Sequence, residues 1–312
     1  MTDLAPIDRP LTIGICTRGR RDALLRCLRS LRHADAVTDR VIVVDDGSEP
    51  PVEPGLREAL GADAPPRLTV IRFERGRGVS AGRNRIAAEA RTPWILYLDD
   101  DAALLSADAA RAGMDVLARD PSVAAVAYPQ SDADGVLYPA GAQPSPSTRP
   151  SLVRTFIGFG HMVRRDALLA VGGYRELLEI MGEERELSLR LLDAGHHIVY
   201  LPDAPIAHLA DAGGRDARRF LYLTVRNDVL SALLNEPLPM AVASAPVRLW
   251  RYFPMRRHWG GEDPGGFRRI VGAVAGALPR IARERRAVRW QTLRAWRELA
   301  ASPPYHPPDG PS

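Results

Sequence analysis

Short apolar runs alternate with helically spaced apolar residues in the N-terminal part of the chain. The runs with the length and apolar content of buried strands lie at 11–16, 41–46, 68–73, 94–100 and 123–128. Between them, Leu24, Leu28 and Leu31 recur at helical spacing, and further helices are predicted over 81–90 and 107–118. Strands that alternate with helices of this length predict βαβ units and a mostly parallel sheet.

After this region the alternation becomes less regular. A Pro- and Ser-rich segment at 139–151 predicts a surface loop. The elements predicted beyond it are a strand at 160–163, a helix from Arg165, a helix at 184–194, a strand at 197–201 and a helix at 218–234. A long Arg-rich helix is then predicted over 278–300, and the Pro-rich segment 302–312 is expected to stay disordered.

The composition excludes several classes of protein. With 46% hydrophobic and 26% charged residues, the 312-residue chain can bury a sizeable core, which excludes wholesale disorder. All 42 basic residues are Arg, and the lack of Lys excludes Schiff-base catalysis and a P-loop lysine. Cys16 and Cys27 cannot form a disulfide framework, and we expect both in the core of a protein from a reducing compartment. Neither a secretory signal nor an apolar run of about 18 residues is recognisable, so we expect a cytoplasmic protein.

Basic charge is concentrated near the C-terminus. Between Arg248 and Glu298 there are 13 arginines and four acidic residues, and four of the five tryptophans lie in the same stretch. Basic charge with aromatic residues is typical of docking at an anionic membrane surface. A helix that packs on the rest of the protein with a solvated basic face would have the same composition, and both alternatives stay open here. No stacking motif accompanies the charge, so nucleic acid is not expected as a partner.

Polar residues follow three of the predicted strands. They are Thr17-Arg18, Asp45-Asp46-Gly47-Ser48 and Asp99-Asp100-Asp101. In open parallel sheets, ligands bind beyond the carboxyl ends of the strands, so these residues are candidates for a binding site. Three consecutive carboxylates repel one another, and a divalent cation would compensate them and could also bind a diphosphate. The structural alternatives are solvated acids at a helix N-terminus and a simple turn.

Three further motifs have both a functional and a structural interpretation. The Gly-rich, basic segment at 75–84 precedes a helix, so its backbone could approach a phosphate, or it could be a surface loop. Its G-x-G-x-x-x-G spacing after the third strand matches a dinucleotide fingerprint poorly. Glu183 and Glu184 stand at a predicted helix start, where they could supply a general base or only complement the helix dipole. His208 is a lone histidine, which is more often structural than functional.

Seven segments in a fixed order resemble family-2 glycosyltransferases of the GT-A fold. They are ICTRGR, VIVVDDGS, GVSAGRNRIAAEA, WILYLDDDA, GFGHMVRRDALLAVGGY, GEERELSLRLLDAGHHIVYLPDAPIAH and FLYLTVRND. Together they cover roughly residues 11 to 230, and their order and spacing make the set specific. The resemblance implies a GT-A fold of the α/β class, with helices flanking a mostly parallel, Rossmann-like sheet and a C-terminal helical extension. It also implies an inverting enzyme that uses a nucleotide-sugar donor and Mg or Mn, and Arg226-Asn227 matches a pair of bacterial rhamnosyltransferase-like members.

The resemblance assigns roles to individual residues. Around the nucleotide and the donor it implies Thr17, Arg18, Asp45, Asp46, Arg83, Asn84, Asp99 and Asp100. At the metal it implies Asp99 and Asp101, the two acids of the D-x-D motif, with His208 at the family's occasional extra metal position. Glu184 matches the second acid of the family's usual Glu-Asp pair and would be the general base. Because its side chain is one methylene longer than Asp, Glu183 stays open as the alternative base.

The implied organisation is a catalytic domain over 1–235, with a nucleotide-binding half over 11–128 and an acceptor half over 152–235, then a basic extension over 236–301 and a tail over 302–312. The implied acceptor is a saccharide, a glycolipid or another hydroxyl compound. Peripheral docking on the inner face of the cell membrane would suit a lipid-linked acceptor. Two alternatives remain, an NAD(P)-dependent dehydrogenase and a non-catalytic nucleotide-binding or membrane-docking scaffold. The sequence carries no prediction of the oligomeric state.

Overall fold

The computed structural model describes residues 9–65, 67–209, 216–258 and 263–308. Its strands are β1 (Leu11–Thr17), β2 (Thr38–Asp45), β3 (Leu68–Arg72), β4 (Trp94–Asp99), β5 (Ala102–Leu104), β6 (Val123–Ala127), β7 (Gln130–Ser131), β8 (Ser151–Leu152), β9 (Gly160–Arg164), β10 (His197–Tyr200) and β11 (Ile206–His208). Its α-helices are α1 (Arg21–Ser30), α2 (Leu56–Leu60), α3 (Val79–Glu89), α4 (Asp108–Arg119), α5 (Arg165–Ala170), α6 (Glu183–Asp193), α7 (Ala217–Asn235), α8 (Leu238–Trp250), α9 (Tyr252–His258), α10 (Gly266–Glu284) and α11 (Trp290–Glu298).

The central sheet has the strand order β3-β2-β1-β4-β9-β6-β10-β8. β3, β2, β1 and β4 are parallel neighbours, and β6 and β10 form another parallel pair. β9 runs antiparallel between β4 and β6, and the short β8 is antiparallel to β10. The prediction of an α/β fold with a mostly parallel sheet is confirmed, with β9 and β8 as antiparallel members.

Alternate residues of the strands pack on opposite faces of this sheet. In β4, Leu96 and Leu98 join an apolar cluster with residues of α1 and α4, whereas Ile95 and Tyr97 join another with residues of α3, α5 and α6. All four side chains are almost completely buried. A strand that is covered on both faces must be apolar throughout, which is why the strand sequences are continuous apolar runs.

A second, three-stranded sheet, β5-β11-β7, continues from the carboxyl end of β4. β5 pairs with β11, so that His208 lies opposite Ala102. The backbone N–H of Leu209 also donates to the carbonyl of Asp101, at 2.8 Å. Two segments that are far apart in the sequence are thereby fixed side by side at the end of the central sheet.

The helices after β11 pack on the α/β part of the protein. α7 contacts α6, α8 and α10. Leu230 of α7 joins an apolar cluster with Leu178 and Ile281, and Trp296 of α11 packs with Leu189 of α6. None of the helices in the described ranges is long and apolar enough to cross a lipid bilayer.

The C-terminal helices differ from the single helix predicted over 278–300. α10 ends at Glu284 and α11 begins at Trp290. Between them, the backbone N–H of Val288 donates to the carbonyl of Asn235 at the end of α7, at 2.7 Å. This tertiary hydrogen bond replaces an intrahelical one. The residue pattern is helical on both sides, so it gives no sign of the break.

The tail that the sequence predicted to be disordered is packed on the α/β part over its described residues, 302–308. The carbonyl of Pro303 accepts from the backbone of β8, and the N–H of Tyr305 donates to the carbonyl of Pro150. The Tyr305 hydroxyl also lies 3.1 Å from a carboxylate oxygen of Asp120. Proline lacks an N–H but keeps its carbonyl, so a Pro-rich segment can still bond along the edge of a sheet. Residues 309–312 lie outside the described residues.

Candidate active site

The polar ends of three neighbouring strands meet at one edge of the central sheet. Thr17 at the end of β1 pairs in register with Asp45 of β2, and Cys16 pairs with Asp99 of β4. The parallel register therefore brings the predicted site residues of these strands to the position where open parallel sheets bind ligands.

A cavity of about 710 Å³ opens beside this edge, and we call it the cleft. The predicted site residues that line the cleft are Arg83, Asp99, Asp101, Glu183, Glu184 and His208. The predicted site residues outside its lining are Thr17, Arg18, Asp45, Asp46, Asn84 and Asp100. Arg20, Gln130 and Phe159 also line the cleft, and the sequence motifs did not single them out.

Asp99, Asp101 and His208 each offer one ligand atom, and these atoms lie within 4.8 Å of one another. Oδ1 of Asp101 is buried without a hydrogen-bond partner among the described residues, 3.5 Å from Nε2 of His208. A buried, unpartnered carboxylate oxygen is unfavourable unless a ligand binds it. Two carboxylates with one imidazole suit Mn²⁺ or Mg²⁺. The three side chains therefore fit the divalent cation that the resemblance implies.

Two contacts fix the imidazole of His208. Its Nδ1 atom lies 2.5 Å from Oε1 of Gln130, and its ring stacks on Phe159 with 4.9 Å between centroids. Because an amide oxygen only accepts, the contact places a proton on Nδ1 and leaves Nε2 turned to Asp101. This is the orientation that a metal ligand needs. Gln130 begins β7, and only the pairing of β7 with β11 brings it to His208.

Arg20 bridges two of the acids that follow β4. Its guanidinium donates to Asp100 and to Asp101, each at 2.7 Å. Burial opposes the charge of Asp101, but His208 and Arg20 outweigh it, and the pKa of Asp101 lies below its ordinary value. Burial raises the pKa of Asp100 to about 7, although Thr17 and Arg20 both donate to it. Thr17 and Asp100 thus bind each other outside the lining of the cleft, and their contacts with the donor stay a prediction.

Asp45 holds the turn after β2. Its carboxylate accepts from the N–H groups of Ser48 and Val52 and from the guanidinium of Arg72, at 2.8 to 3.2 Å. Burial opposes its charge, yet these hydrogen bonds bring the pKa of Asp45 below its ordinary value. These contacts shape the turn at the edge of the site, and a contact of Asp45 with the nucleotide stays a prediction.

Asp46 binds the backbone at the start of α3, where the Gly-rich sequence suggests a phosphate site. Its two oxygens accept from the N–H groups of Arg77 and Gly78, at 2.6 and 3.1 Å. A helix N-terminus favours an anion, and here a carboxylate of the protein supplies it. These two amides are therefore occupied by Asp46 in this structure, and its contact with the nucleotide stays a prediction.

Arg18 lies at a second, open cavity of about 610 Å³, between the loops that follow β1, β2 and β3. Gly47 and Gly76 line it as well. A Cβ on Gly76 would lie 2.4 Å from Nη1 of Arg18, so glycine at this position avoids a clash with the guanidinium. Arg18 is exposed there, at a crevice beside the strand ends.

Arg83 links the acids after β4 to those at the start of α6. Its buried guanidinium donates to Glu183 and to the carbonyl of Gly158, both at 2.9 Å, and lies 3.4 Å from Asp99. Burial opposes its charge, but Tyr174 and Glu183 beside it outweigh the burial, and the pKa of Arg83 lies above its ordinary value. Arg83 therefore remains a cation inside the site.

The two acids at the start of α6 have different surroundings. Glu183 is 1% exposed, with one oxygen paired to Arg83 and Oε2 without a hydrogen-bond partner in the described part of the chain. Burial and the neighbouring Glu184 raise the pKa of Glu183 well above its ordinary value. Glu184 is half-buried and lines the cleft. A Cβ on Gly158 would lie 2.5 Å from Oε1 of Glu184, so this glycine makes room for the acid.

Asn84 does not face the cleft. Its side-chain amide donates to the carbonyl of Tyr174 and accepts from the N–H of Tyr174, both at 2.8 Å. The side chain thus binds the protein's own backbone, and its place by the donor stays a prediction. Successive residues of an α-helix point about 100° apart, so the residue after Arg83 belongs to another face of α3.

Asn227 of α7 fixes the loop that leads into α6. Its amide nitrogen donates to the carbonyls of Leu178, Ile180 and Met181, at 2.7 to 2.8 Å. Met181 has a φ of +76°, a conformation that side chains with a Cβ rarely adopt. Since Ile180 and Met181 line the cleft, Asn227 shapes the site from behind. Arg226 beside it pairs with Glu179 of the same loop, at 3.0 Å.

Comparison with known families decides the assignment. The model of the family described as glycosyl transferase family 2 matches residues 12–171, slightly more than half of the chain. The chain belongs to glycosyl transferase family 2. This membership confirms the resemblance and overturns the alternative of an NAD(P)-dependent dehydrogenase.

Two relatives extend the match beyond the family model. The pre-mycofactocin glycosyltransferase of Mycobacterium tuberculosis is 29% identical over 268 residues, which cover 78% of this chain and 53% of that protein. The succinoglycan biosynthesis protein ExoU of Rhizobium meliloti is 32% identical over 214 residues, which cover 62% and 60% of the two chains. The chain thus spans about half of the length of the first relative and three fifths of the second.

Solved structures share the fold at low sequence identity. Mannosyltransferase PcManGT from Pyrobaculum calidifontis, in complex with GDP-Man and Mn²⁺, is 19% identical with a TM-score of 0.56, over 96% of this chain and 88% of that one. GalNAc-T7, solved with UDP, GalNAc and Mn²⁺, is 16% identical with a TM-score of 0.61, over 88% and 58%. The fold is therefore the GT-A fold.

Proposed function

We propose that this protein transfers a sugar from a nucleoside-diphosphate sugar to a hydroxyl group of an acceptor, with inversion at the anomeric carbon. The observation that carries the proposal is a single cleft lined by Asp99, Asp101 and His208 and also by Glu184. The first group suits a diphosphate with its cation, and the acid suits the proton of an attacking hydroxyl. A protein that only senses a nucleotide would not need the acid.

The donor would lie along the ends of β1, β2 and β4, with its nucleotide in the crevice beside Arg18 and its diphosphate beside Asp99 and Asp101. A divalent cation held at these acids would neutralise the departing diphosphate as a Lewis acid. His208 would supply a nitrogen ligand, and Arg83 would hold Asp99 in place from behind. We infer that Mn²⁺ supports turnover better than Mg²⁺, because Mg²⁺ prefers oxygen ligands throughout.

Glu184 is the general base in this proposal. It would accept the proton of the acceptor hydroxyl while that oxygen attacks the anomeric carbon from the face opposite the diphosphate. It is the accessible member of the pair, whereas Glu183 is enclosed and bound to Arg83. Glu183 would therefore position the start of α6 and not contact the acceptor.

The names of two relatives bear on the acceptor. One is named for pre-mycofactocin, and the other, named for succinoglycan biosynthesis, favours a saccharide. We propose that the acceptor hydroxyl belongs to a saccharide, a glycolipid or a related compound.

We also propose that the outer face of α8 docks peripherally on an anionic membrane. Leu238, Val242, Val247 and Trp250 are 63 to 68% exposed along this helix. Its one charged residue, Arg248, is occupied by ion pairs on the inner side. An apolar helix face followed by the exposed Arg256 and Arg257 suits the headgroup region of anionic lipids. Co-sedimentation with phosphatidylglycerol vesicles should be lost in Val242→Asp/Val247→Asp, and equal binding by this variant would contradict the docking.

The release of nucleoside diphosphate from a panel of sugar nucleotides in the presence of Mn²⁺ tests the transferase. We expect turnover with at least one donor and its loss in Asp101→Asn, because the cation site loses a charged ligand. Asp115→Asn, at an exposed acid of α4, is the matched control and should retain full activity. Nucleotide binding by calorimetry without release from any donor would favour the non-catalytic scaffold and overturn the proposal.

A further inference from the structure

Two smaller cavities adjoin the cleft, between the α/β part and the C-terminal helices. One, of about 310 Å³, shares Met181, Gly182 and Phe220 with the lining of the cleft. The other, of about 220 Å³, shares Arg185 and Arg248 with the first. We call the two together the arginine pocket. Since Arg185 directly follows Glu184 in α6, the pocket begins beside the proposed base.

The arginine pocket contains more positive charge than its acids compensate. Its arginines are Arg154, Arg185, Arg248, Arg251 and Arg297, and its acids are Asp228 and Glu236. Asp228 alone forms ion pairs with three of these guanidiniums, at 2.6 to 3.6 Å. Within the described ranges, neither Arg154 nor Arg297 has an ion-pair partner.

The environment of Arg185 reflects this excess. Its side chain is 51% exposed, and its pKa is lowered by its partial burial and, against the attraction of Asp228, by the nearby Arg248, Arg154 and Arg251. Such a cluster of like charges is unfavourable by itself, and an anion bound among the guanidiniums would relieve the repulsion.

Ion pairing between α7 and the residues that follow it accounts for only part of the cluster. Arg248 bridges Asp228 and Glu236, and Arg251 pairs with Asp228, so these residues have a structural function. Arg154 follows β8 and Arg297 lies in the last turn of α11, and both are exposed arginines that line the pocket without an ion-pair partner in the described chain. Ion pairing between the helices therefore does not explain why these two arginines are present.

We propose that the arginine pocket binds a phosphate group carried by the acceptor and so selects phosphate-bearing acceptors for the proposed transfer. Guanidinium groups bind phosphate oxygens in a planar, bidentate way that suits this site. Trp296 and Leu293 form an apolar wall beside the arginines, against which the remainder of the acceptor can pack. The inference rests on the proposed function, because it assigns the acceptor side of the same reaction.

Calorimetric titration of the full chain with inorganic phosphate tests the pocket. We expect Arg154→Gln/Arg297→Gln to weaken phosphate binding by about tenfold or more, since each loses charge-assisted hydrogen bonds to the anion. The matched control is Arg149→Gln/Arg294→Gln, which removes two exposed arginines of the same segments outside the pocket and should bind phosphate normally. An equal loss in both double variants, or no binding by the native chain, would overturn the proposal.

Asp101→Asn separates this inference from the proposed function. The variant should lose donor turnover but bind phosphate as the native chain does. Phosphate binding that disappears in Asp101→Asn and survives in Arg154→Gln/Arg297→Gln would place the anion in the donor site and refute the pocket.

Two probes distinguish a soluble acceptor from a lipid-linked one. Glucose 6-phosphate in solution carries a phosphate group on a sugar, and dodecyl phosphate in neutral detergent micelles carries the same group on an alkyl chain. Arginine-dependent binding of either probe supports the proposal, and the tighter one identifies the source of the phosphate. Binding of both probes that does not depend on Arg154 and Arg297 would contradict it.

Discussion

Two buried carboxylates, Glu183 and Glu186, lie one turn apart at the start of α6, and their surroundings shift their pKa values in opposite directions. Glu186 accepts from Arg175 at 2.6 Å, from Arg190 at 2.6 and 2.8 Å and from Asn235 at 3.1 Å. Burial opposes its charge, but Arg190 and Arg175 outweigh it and bring the pKa of Glu186 below its ordinary value. Glu183 has one arginine and an oxygen without a partner in the described residues, and its pKa is raised.

The difference separates a structural acid from an acid of the site. A buried charge that only holds the fold together is fully paired, because an unpaired one is strongly destabilising. Oδ1 of Asp101, which also lines the cleft, is likewise without a partner in the described residues, and the proposed cation would supply one. Among the buried carboxylates, an oxygen without a partner therefore distinguishes Asp101 and Glu183 of the cleft from the fully paired Glu186.

The largest effect is expected from Glu184→Gln. Loss of a general base lowers the rate by about 10² to 10⁴, so transfer should nearly vanish while donor binding is kept. Single-turnover transfer and calorimetric titration with the donor measure the two quantities. Glu89→Gln, at an exposed acid of α3 that pairs with Arg85, is the control and should have native activity. Retention of most activity in Glu184→Gln would shift the base to Glu183.

A loss of stability without a specific effect on the site is expected from Glu186→Ala. Arg175 and Arg190 would remain buried without their acid, which corresponds to about 3 to 5 kcal/mol of the free energy of unfolding. Urea denaturation measures it, with Glu298→Ala at the exposed end of α11 as the control. A change as small as that of the control would show that the Glu186 network is dispensable.

The strands and the residues at their ends could be predicted because both are local in sequence. The apolar runs of β1, β2 and β4 end where Thr17, Asp45 and Asp99 begin the polar segments, and parallel pairing brings these ends together. The predicted Asp99, Asp101 and His208 set depended on resemblance, and the β5–β11 pairing supplies its physical cause.

Residue type alone could not tell which polar groups face the cleft. Asp46 and Asn84 are residue types that often bind ligands, but both form hydrogen bonds with backbone groups of the protein itself. Conversely, Arg20 and Phe159 line the cleft from two of the recognised segments without having been assigned a role, and Gln130 lines it from the short β7. The direction of such a side chain depends on tertiary contacts. A tertiary contact also interrupts the long predicted helix, where the backbone N–H of Val288 donates to α7.

A moderate effect on the cation is expected from Gln130→Leu. The imidazole of His208 would lose the acceptor that fixes its Nδ1 proton, and such supporting contacts are typically worth about tenfold to a hundredfold in metal affinity. The Mn²⁺ concentration for half-maximal turnover measures the change, and Gln291→Leu, at an exposed position of α11, serves as the control. An unchanged Mn²⁺ requirement would remove His208 from the proposed ligand set.

The smallest effect, and the sharpest test of the comparison, is the pH dependence of stability in Glu183→Gln and Glu186→Gln. The pKa of Glu183 is raised, so the folded protein binds this proton more tightly than the unfolded chain does. Native stability therefore falls as the pH rises from the ordinary value of 4.5 towards the folded pKa, and glutamine removes that loss.

For Glu186 the sign is reversed. Its lowered pKa contributes stability above the ordinary value, and this contribution is lost as the pH falls through the folded pKa. With rising pH, the unfolding free energy of Glu183→Gln should thus improve relative to the native protein, while that of Glu186→Gln should worsen. Urea titrations of both variants between acid and neutral pH measure the two slopes. Slopes of the same sign would mean that the two acids are compensated alike, and the distinction between a structural acid and a site acid would not hold for α6.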